Sequence, residues 1–203
     1  MRRLAVVLTG AAGVVVLLVV LVWLLVAELA DTAADGPTAP GPAAPDPSAP
    51  APAELPDDAE PATLDRVVDG DTIRVSIDDP DHSIPVTPSV RVRLLNVDAP
   101  ELAREGQPQE CGAAEATRYV EDLLEPGEVV WLAQDRQDRD DYDRPLRYVF
   151  TAAGVDVQAG LVSAGLAEVI VIPPNARFAD ALADLEDEAQ AAGLGIWGEL
   201  CPS

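Results

Sequence analysis

The chain has 203 residues, with 36 Asp or Glu against 13 basic side chains, all of them Arg, and a formal net charge of −23. Acidity on this scale excludes a protein that holds nucleic acid by overall charge, because association with a polyanion normally runs on a basic surface. The length leaves room for one ordinary domain behind a front that is not globular.

Leu4 to Ala27 form an apolar run of 24 residues behind Met1-Arg2-Arg3. As a helix, such a run is long enough to cross a hydrocarbon core about 30 Å thick. Residues 1–30 are therefore expected to form a transmembrane anchor. The competing reading is a cleaved signal peptide, for which Thr32-Ala33-Ala34 offers a small-residue site although the apolar run is long. In both cases Arg2 and Arg3 precede the span, and the positive-inside tendency places the rest of the chain outside the cytoplasm. The chain is then a single-pass cell-membrane protein with an extracellular domain, or a secreted one. Residues 31–62 are mostly Ala, Pro and acid, a composition that cannot bury a core and predicts a disordered, extended linker.

The globular part is expected over 63–203. Leu64 to Val68 and Thr72 to Ile77 predict two strands joined by a tight turn at Asp69-Gly70-Asp71. Ser89 to Val97 predicts a third strand, with Val90, Val92 and Leu94 on one face and Arg91 and Arg93 on the other. His82, in the turn-rich stretch between them, is expected to be an exposed loop residue. Glu115 to Leu124 has helical spacing and ends before Pro126-Gly127. Strands are expected near 128–133 and 146–151, then a short helix ended by Gly165 and a longer one ended by Gly193. Trp131 and Trp197 sit among apolar neighbours and are expected to pack in the core. Cys111 and Cys201 are the only cysteines and, outside the cytoplasm, are expected to form a disulfide. Five strands with helices inserted and appended make an α+β class, for which a small closed barrel is one economical solution.

In so acidic a chain a pair of carboxylates carries little information. The ordered combination of Asp69-Gly70-Asp71-Thr72, Arg93-Leu94-Leu95-Asn96-Val97-Asp98-Ala99-Pro100-Glu101 and Tyr142-Asp143-Arg144 carries more. Together with Gly165-Leu166-Ala167 and Gly195-Ile196-Trp197, it resembles the staphylococcal nuclease family over about Thr63 to Cys201. The resemblance implies an OB-fold five-stranded barrel with about three helices. It implies that Asp71 and Asp98 bind Ca2+ with the backbone carbonyl of Ala99, and that Asp69 supports the site. Glu101 would be the general base, and Arg93 and Arg144 would neutralise the phosphate of a DNA or RNA substrate. Release of the 5′-oxygen would then leave 3′-phosphates. A calcium ion takes six to eight oxygen ligands, so this set leaves room for water and a phosphate.

The pattern departs from the family in two places. Val171 and Pro173 fall where stacking tyrosines are expected, and Asp141 stands where a basic residue commonly precedes Tyr142. Weak affinity for small nucleotides is the expectation, since a stacked base contributes about 1 to 3 kcal/mol. Tyr142 itself could line the phosphate site or pack on its own loop. Residues 63–203 hold 28 carboxylates and 11 arginines, a balance of −17 that opposes approach of nucleic acid. The alternative to an enzyme is a catalytically silent OB-fold module that binds a partner at the cell surface. No feature implies a protein partner, and a monomer is expected.

Overall fold

The computed structural model describes residues 54–202, so the expected membrane segment and most of the linker lie outside the described residues. Among the described residues no helix is long and apolar enough to cross a membrane. In chain order the elements are β1 (Glu60–Asp69), β2 (Thr72–Ile77), β3 (Thr87–Leu94), β4 (Val97–Asp98), α1 (Ala113–Leu123), β5 (Val129–Ala133), β6 (Leu146–Phe150), α2 (Val157–Ser163), β7 (Glu168–Val169) and α3 (Ala179–Ala192), with a final 3-10 turn at Gly195–Trp197.

Five strands close into a barrel in the order β1-β2-β3-β6-β5. All neighbours are antiparallel except β3 and β6, which run parallel. Closure depends on residues ahead of the expected start at Thr63: Glu60 to Thr63 pair with Leu132 to Val129 of β5, and that pairing removes both sheet edges. Alternation then fills the interior. Ile73, Val75 and Ile77 of β2, Val92 and Leu94 of β3, and Val130 and Leu132 of β5 are all buried together. Helix α1 contributes Ala116 and Val120 to the same core, and α2 contributes Leu161 and Val162.

Gly70 is the reason the first hairpin can seat on its neighbours. A Cβ there would lie 2.6 Å from the Ala99 Cβ and 2.8 Å from the Ala116 Cβ, so only glycine lets the Asp69–Asp71 turn press against both. The two later glycine signatures meet each other. A Cβ on Gly165 would come within 2.4 Å of the Leu194 carbonyl oxygen, and one on Gly195 within 2.1 Å of the Gly165 carbonyl oxygen. The Ile196 N–H donates to the Gly165 carbonyl at 2.8 Å, which fixes the end of the chain to the end of α2. The expected disulfide is formed and joins Cys111, just ahead of α1, to Cys201.

Three expectations change. The third strand stops at Leu94, because Asn96 adopts φ 58° and turns the chain before β4 pairs with β7, a short ladder that periodicity does not suggest. His82 is buried at 8% exposure, because the neighbouring Ile84 enters the barrel core and draws the turn inward. Its Nδ1 accepts the Ile84 N–H at 2.9 Å and lies 3.6 Å from the Glu60 carboxylate. Burial lowers the His82 pKa, while Glu60 opposes the shift. Arg147, read only as part of a strand, is a fully buried cation whose NH2 donates to Asp138 at 2.7 Å and to Ser83 at 3.2 Å. Trp131 and Trp197 are half-buried.

Candidate active site

The turn between β1 and β2, the end of β3 and the strand β4 deliver their polar residues to one place. Asp71 is buried at 6% exposure, with its Oδ2 accepting the Ala99 N–H at 3.1 Å and lying 3.0 Å from Arg93 NH2. Its Oδ1 accepts the Thr72 hydroxyl at 3.0 Å. The same Arg93 NH2 stands 2.9 Å from Asp98 Oδ1. Arg93 is held there by NH1, which donates to the Leu94 and Val97 carbonyls, each at 2.7 Å. Asp69 lies directly behind, accepting the Asp71 N–H at 3.3 Å.

Burial raises the Asp71 carboxyl to about 6, with the Asp69 charge adding to the rise while Arg93 and the Ala99 and Thr72 hydrogen bonds oppose it. Between the ordinary 3.8 and about 6 the folded protein therefore binds more protons than the unfolded chain. Stability contributed by this group is present below that window and lost as pH rises through it. In metal-free protein, Asp71→Asn is expected to be about 1 to 3 kcal/mol more stable than wild type at pH 7, with little difference at pH 4. Urea unfolding in chelator at the two pH values checks this. An equal difference at both would remove the electrostatic explanation.

Asp71 and Asp98 come from different elements, and their oxygens converge on a single cationic nitrogen. All the donors are hard oxygens, and one carboxylate is buried at a cost that a dication would relieve, so the set fits calcium. At Ala99 the group that meets Asp71 is the N–H. Among the described residues no three His, Cys, Asp or Glu side chains form a metal cluster, so an ion here would draw its remaining ligands from backbone, water or substrate.

Glu101 comes directly after Pro100 at the edge of this cluster and is half-exposed. Its backbone is clamped from both sides: its N–H donates to Glu110 Oε2 at 2.9 Å, and its carbonyl accepts the Glu110 N–H at 2.9 Å. Its carboxylate pairs with Arg104 NH2 at 2.5 Å, and that nitrogen is also 3.5 Å from Asp69. Arg104 is a site neighbour that the sequence motifs do not mark. The available signal is its position three residues after Glu101.

Arg144 approaches from the loop between β5 and β6. Asp140 orders that loop by accepting the backbone N–H of Tyr142 and of Arg144, both at 2.9 Å, and the Arg144 Nε at 2.6 Å. Burial opposes ionisation of Asp140, but these bonds and the Arg144 charge outweigh it and lower the pKa. Bonding through Nε leaves both terminal nitrogens of Arg144 for another partner. Tyr142 is 82% exposed, with the Arg144 guanidinium 5.6 Å from its ring centre.

A cavity of about 470 Å³ connects the two halves, lined by Arg93, Asp98, Tyr142, Arg144, Ile170 and Ile172 among others. Arg93 and Asp98 thus belong both to the carboxylate cluster and to the cavity, whereas Glu101 and Asp71 stand outside its lining. The segment after β7 presents Ile170 and Ile172 to the cavity, alternating with Val171 and Pro173. The part of the cavity wall that this segment forms is therefore aliphatic. Its backbone is tied to the β3–β4 turn by the Ile170 N–H, which donates to the Asn96 carbonyl at 3.2 Å.

Comparison with known proteins agrees with this geometry. The family model described as staphylococcal nuclease homologue matches residues 91–199. A thermonuclease of Staphylococcus intermedius is 33% identical over 132 residues, covering 65% of this chain and 73% of that protein. Endonuclease YncB of Bacillus subtilis is 34% identical over 139 residues, covering 68% of this chain and 61% of its own length. The SPbeta prophage-derived endonuclease YokF of the same organism is also 34% identical over 139 residues, of which this chain spans only 44% of the relative. With the barrel, the converging carboxylates and the matched segment in agreement, the chain belongs to the staphylococcal nuclease homologue family.

Proposed function

We propose that this protein is a calcium-dependent nuclease that hydrolyses phosphodiester bonds of DNA or RNA outside the cytoplasm. The observation that carries the reading is the convergence of Asp71 and Asp98 on Arg93 at one end of a cavity that Arg144 enters from the other side. A carboxylate in the cavity lining, Asp98, with Asp71 beside it across Arg93 and a second arginine at the cavity, suits a doubly esterified phosphate, whose charge needs cations and whose attack needs a base.

Asp71 and Asp98, with the Ala99 carbonyl, would hold the calcium ion. When bound, calcium supplies positive charge for the phosphate oxygens and acidifies nearby water. The Glu101 carboxylate takes a proton from the attacking water as its oxygen bonds to phosphorus. The bond from phosphorus to the 5′-oxygen breaks and the departing oxygen takes up a proton from solvent water, leaving a 3′-phosphate on one product and a 5′-hydroxyl on the other. Arg144, oriented by Asp140 through Nε, presents its two terminal nitrogens to the equatorial oxygens, and Arg93, anchored through NH1 by two carbonyls, offers its NH2 once Asp71 and Asp98 turn to the metal. Donors already fixed where charge develops stabilise the transition state more than donors that must reorganise. The apolar run at the N-terminus supports delivery across the cytoplasmic membrane, either as a retained anchor or as a cleaved signal.

The test is cleavage of denatured DNA and of RNA by the full-length chain kept in detergent, with calcium or with chelator, from low to molar salt. Cleavage that requires calcium and yields 3′-phosphate ends is expected. A folded, disulfide-intact protein that cleaves neither polymer at any salt would overturn the reading in favour of the silent binding module.

A further inference from the structure

Three arginines stand side by side on the outer face of the barrel. In the β1–β2 pairing Arg66 is directly opposite Arg74, and in the β2–β3 pairing Arg74 is directly opposite Arg91. The inward partners of the same strands, Ile73 with Val92 and Val75 with Val90, put these arginines on the solvent side. The alignment depends on a bulge: β1 shifts register between Leu64 and Arg66, so that Asp65 is passed over and Arg66, not the acid, faces Arg74. Like charges directly opposite one another oppose strand pairing. The sheet carries the row nonetheless.

The row also stands out against the charge of the molecule. Of the 11 arginines in residues 63–203, Arg93, Arg104, Arg139, Arg144, Arg147 and Arg177 form ion pairs with carboxylates. Among the described residues the other five, Arg66, Arg74, Arg91, Arg118 and Arg136, form none; the first three of these share the row, and its only side-chain hydrogen bond is Arg74 to the Ser89 hydroxyl at 3.3 Å. Asp65 forms no ion pair with them either, and its Oδ2 is buried and unpartnered. With 28 carboxylates available, three cations collected in one line and left without acidic partners are set for an external anion.

The line leads to the site. Arg91 and Arg93 are two residues apart on the same face of β3, hence about 7 Å apart along the strand, while adjacent strands are about 4.8 Å apart. Arg93, Arg91, Arg74 and Arg66 therefore occupy neighbouring outward positions from the cavity rim across three strands. We propose that this face is a track for the phosphate backbone of a polynucleotide strand whose scissile bond lies at Arg93. The identity of the occupant rests on the nuclease reading. Its chemistry is set by the planar forks, each of which matches a phosphate, and by their arrangement in a line. Such a track offsets, locally, the repulsion of an acidic domain, and it favours long strands over short ones.

The experiment uses the full-length chain carrying Glu101→Gln, so that substrate survives, and measures binding of a 20-nucleotide single strand and of a dinucleotide in calcium. Arg66→Gln with Arg91→Gln is the test variant; Arg74 is left intact because its Nε is buried. The ratio of the two affinities is expected to fall at least tenfold, and the slope of log affinity against log salt to become shallower by about 1.4, or 0.7 per lost contact to a single strand. Arg118→Gln, an exposed and unpaired arginine on α1, is expected to change neither. An unchanged ratio in the double variant overturns the proposal. So does a loss confined to a sulfated polysaccharide such as heparin, which would assign the row to another polyanion. A chain that cleaves nothing but shows the arginine-dependent length effect would retire the nuclease reading and leave the track standing.

Discussion

Arg144→Ala is expected to lower kcat by a factor of about 10² to 10³, the cost typical of removing one preorganised donor from a developing negative charge. The structure gives a specific reason for so large an effect. Asp140 spends one carboxylate oxygen on the backbone of the loop and the other on Arg144 Nε, so the guanidinium is aimed into the cavity before any ligand arrives. Lysine cannot substitute, because an ammonium lacks the Nε bond and the flat fork, and Arg144→Lys is expected to recover little of the loss. Glu101→Gln is expected to cost about 10² to 10⁴ through loss of the base. Steady-state kinetics on denatured DNA in calcium checks both. A decrease of under fivefold in Arg144→Ala would remove that residue from the reaction and leave it a loop cation.

The second large effect concerns the disulfide. Cys111 and Cys201 are 90 residues apart, and closing a loop of that length stabilises the fold by about 4 to 5 kcal/mol in the chain-entropy model. Replacing both by Ser is expected to remove most of that, lowering the urea midpoint by about 2 M for a slope near 2 kcal/mol per molar. The bridge also sits beside the clamp on Glu101, the proposed base, because Glu110, which exchanges two hydrogen bonds with the Glu101 backbone, immediately precedes Cys111. Activity of the double variant is therefore expected to fall at temperatures where the domain is still folded. A midpoint within about 0.3 M of wild type would mean that packing of residues 195–200 alone holds the chain end, since so small a shift is well under 1 kcal/mol.

Several elements were legible without coordinates because their causes are local. Alternation gave β2 at Thr72–Ile77 to the residue, and helical spacing with terminal glycines gave α2 and α3 closely. The candidate site is an ordered set of residue types in the sequence, and four of its members, Asp71, Arg93, Asp98 and Ala99, are brought into direct contact. Burial of His82 and Arg147 was not legible, because each depends on which distant groups surround it: Ile84 entering the core in one case, Asp138 and Ser83 in the other. The first strand began earlier than expected, since Glu60 to Thr63 lack a hydrophobic alternation of their own and become a strand only when β5 pairs with them.

The sequence by itself determined the residues available for chemistry, the alternation that builds the barrel, the one possible disulfide and the overall acidity, because each is a property of residue types and their spacing. Only the tertiary structure decided that Arg104 holds Glu101, that Ile170 and Ile172 form the cavity wall, and that Arg66, Arg74 and Arg91 stand in one row. Register across strands and the path of a loop over a barrel are set by contacts between residues far apart in the chain, and a one-residue bulge at Asp65 is enough to decide which charge faces which.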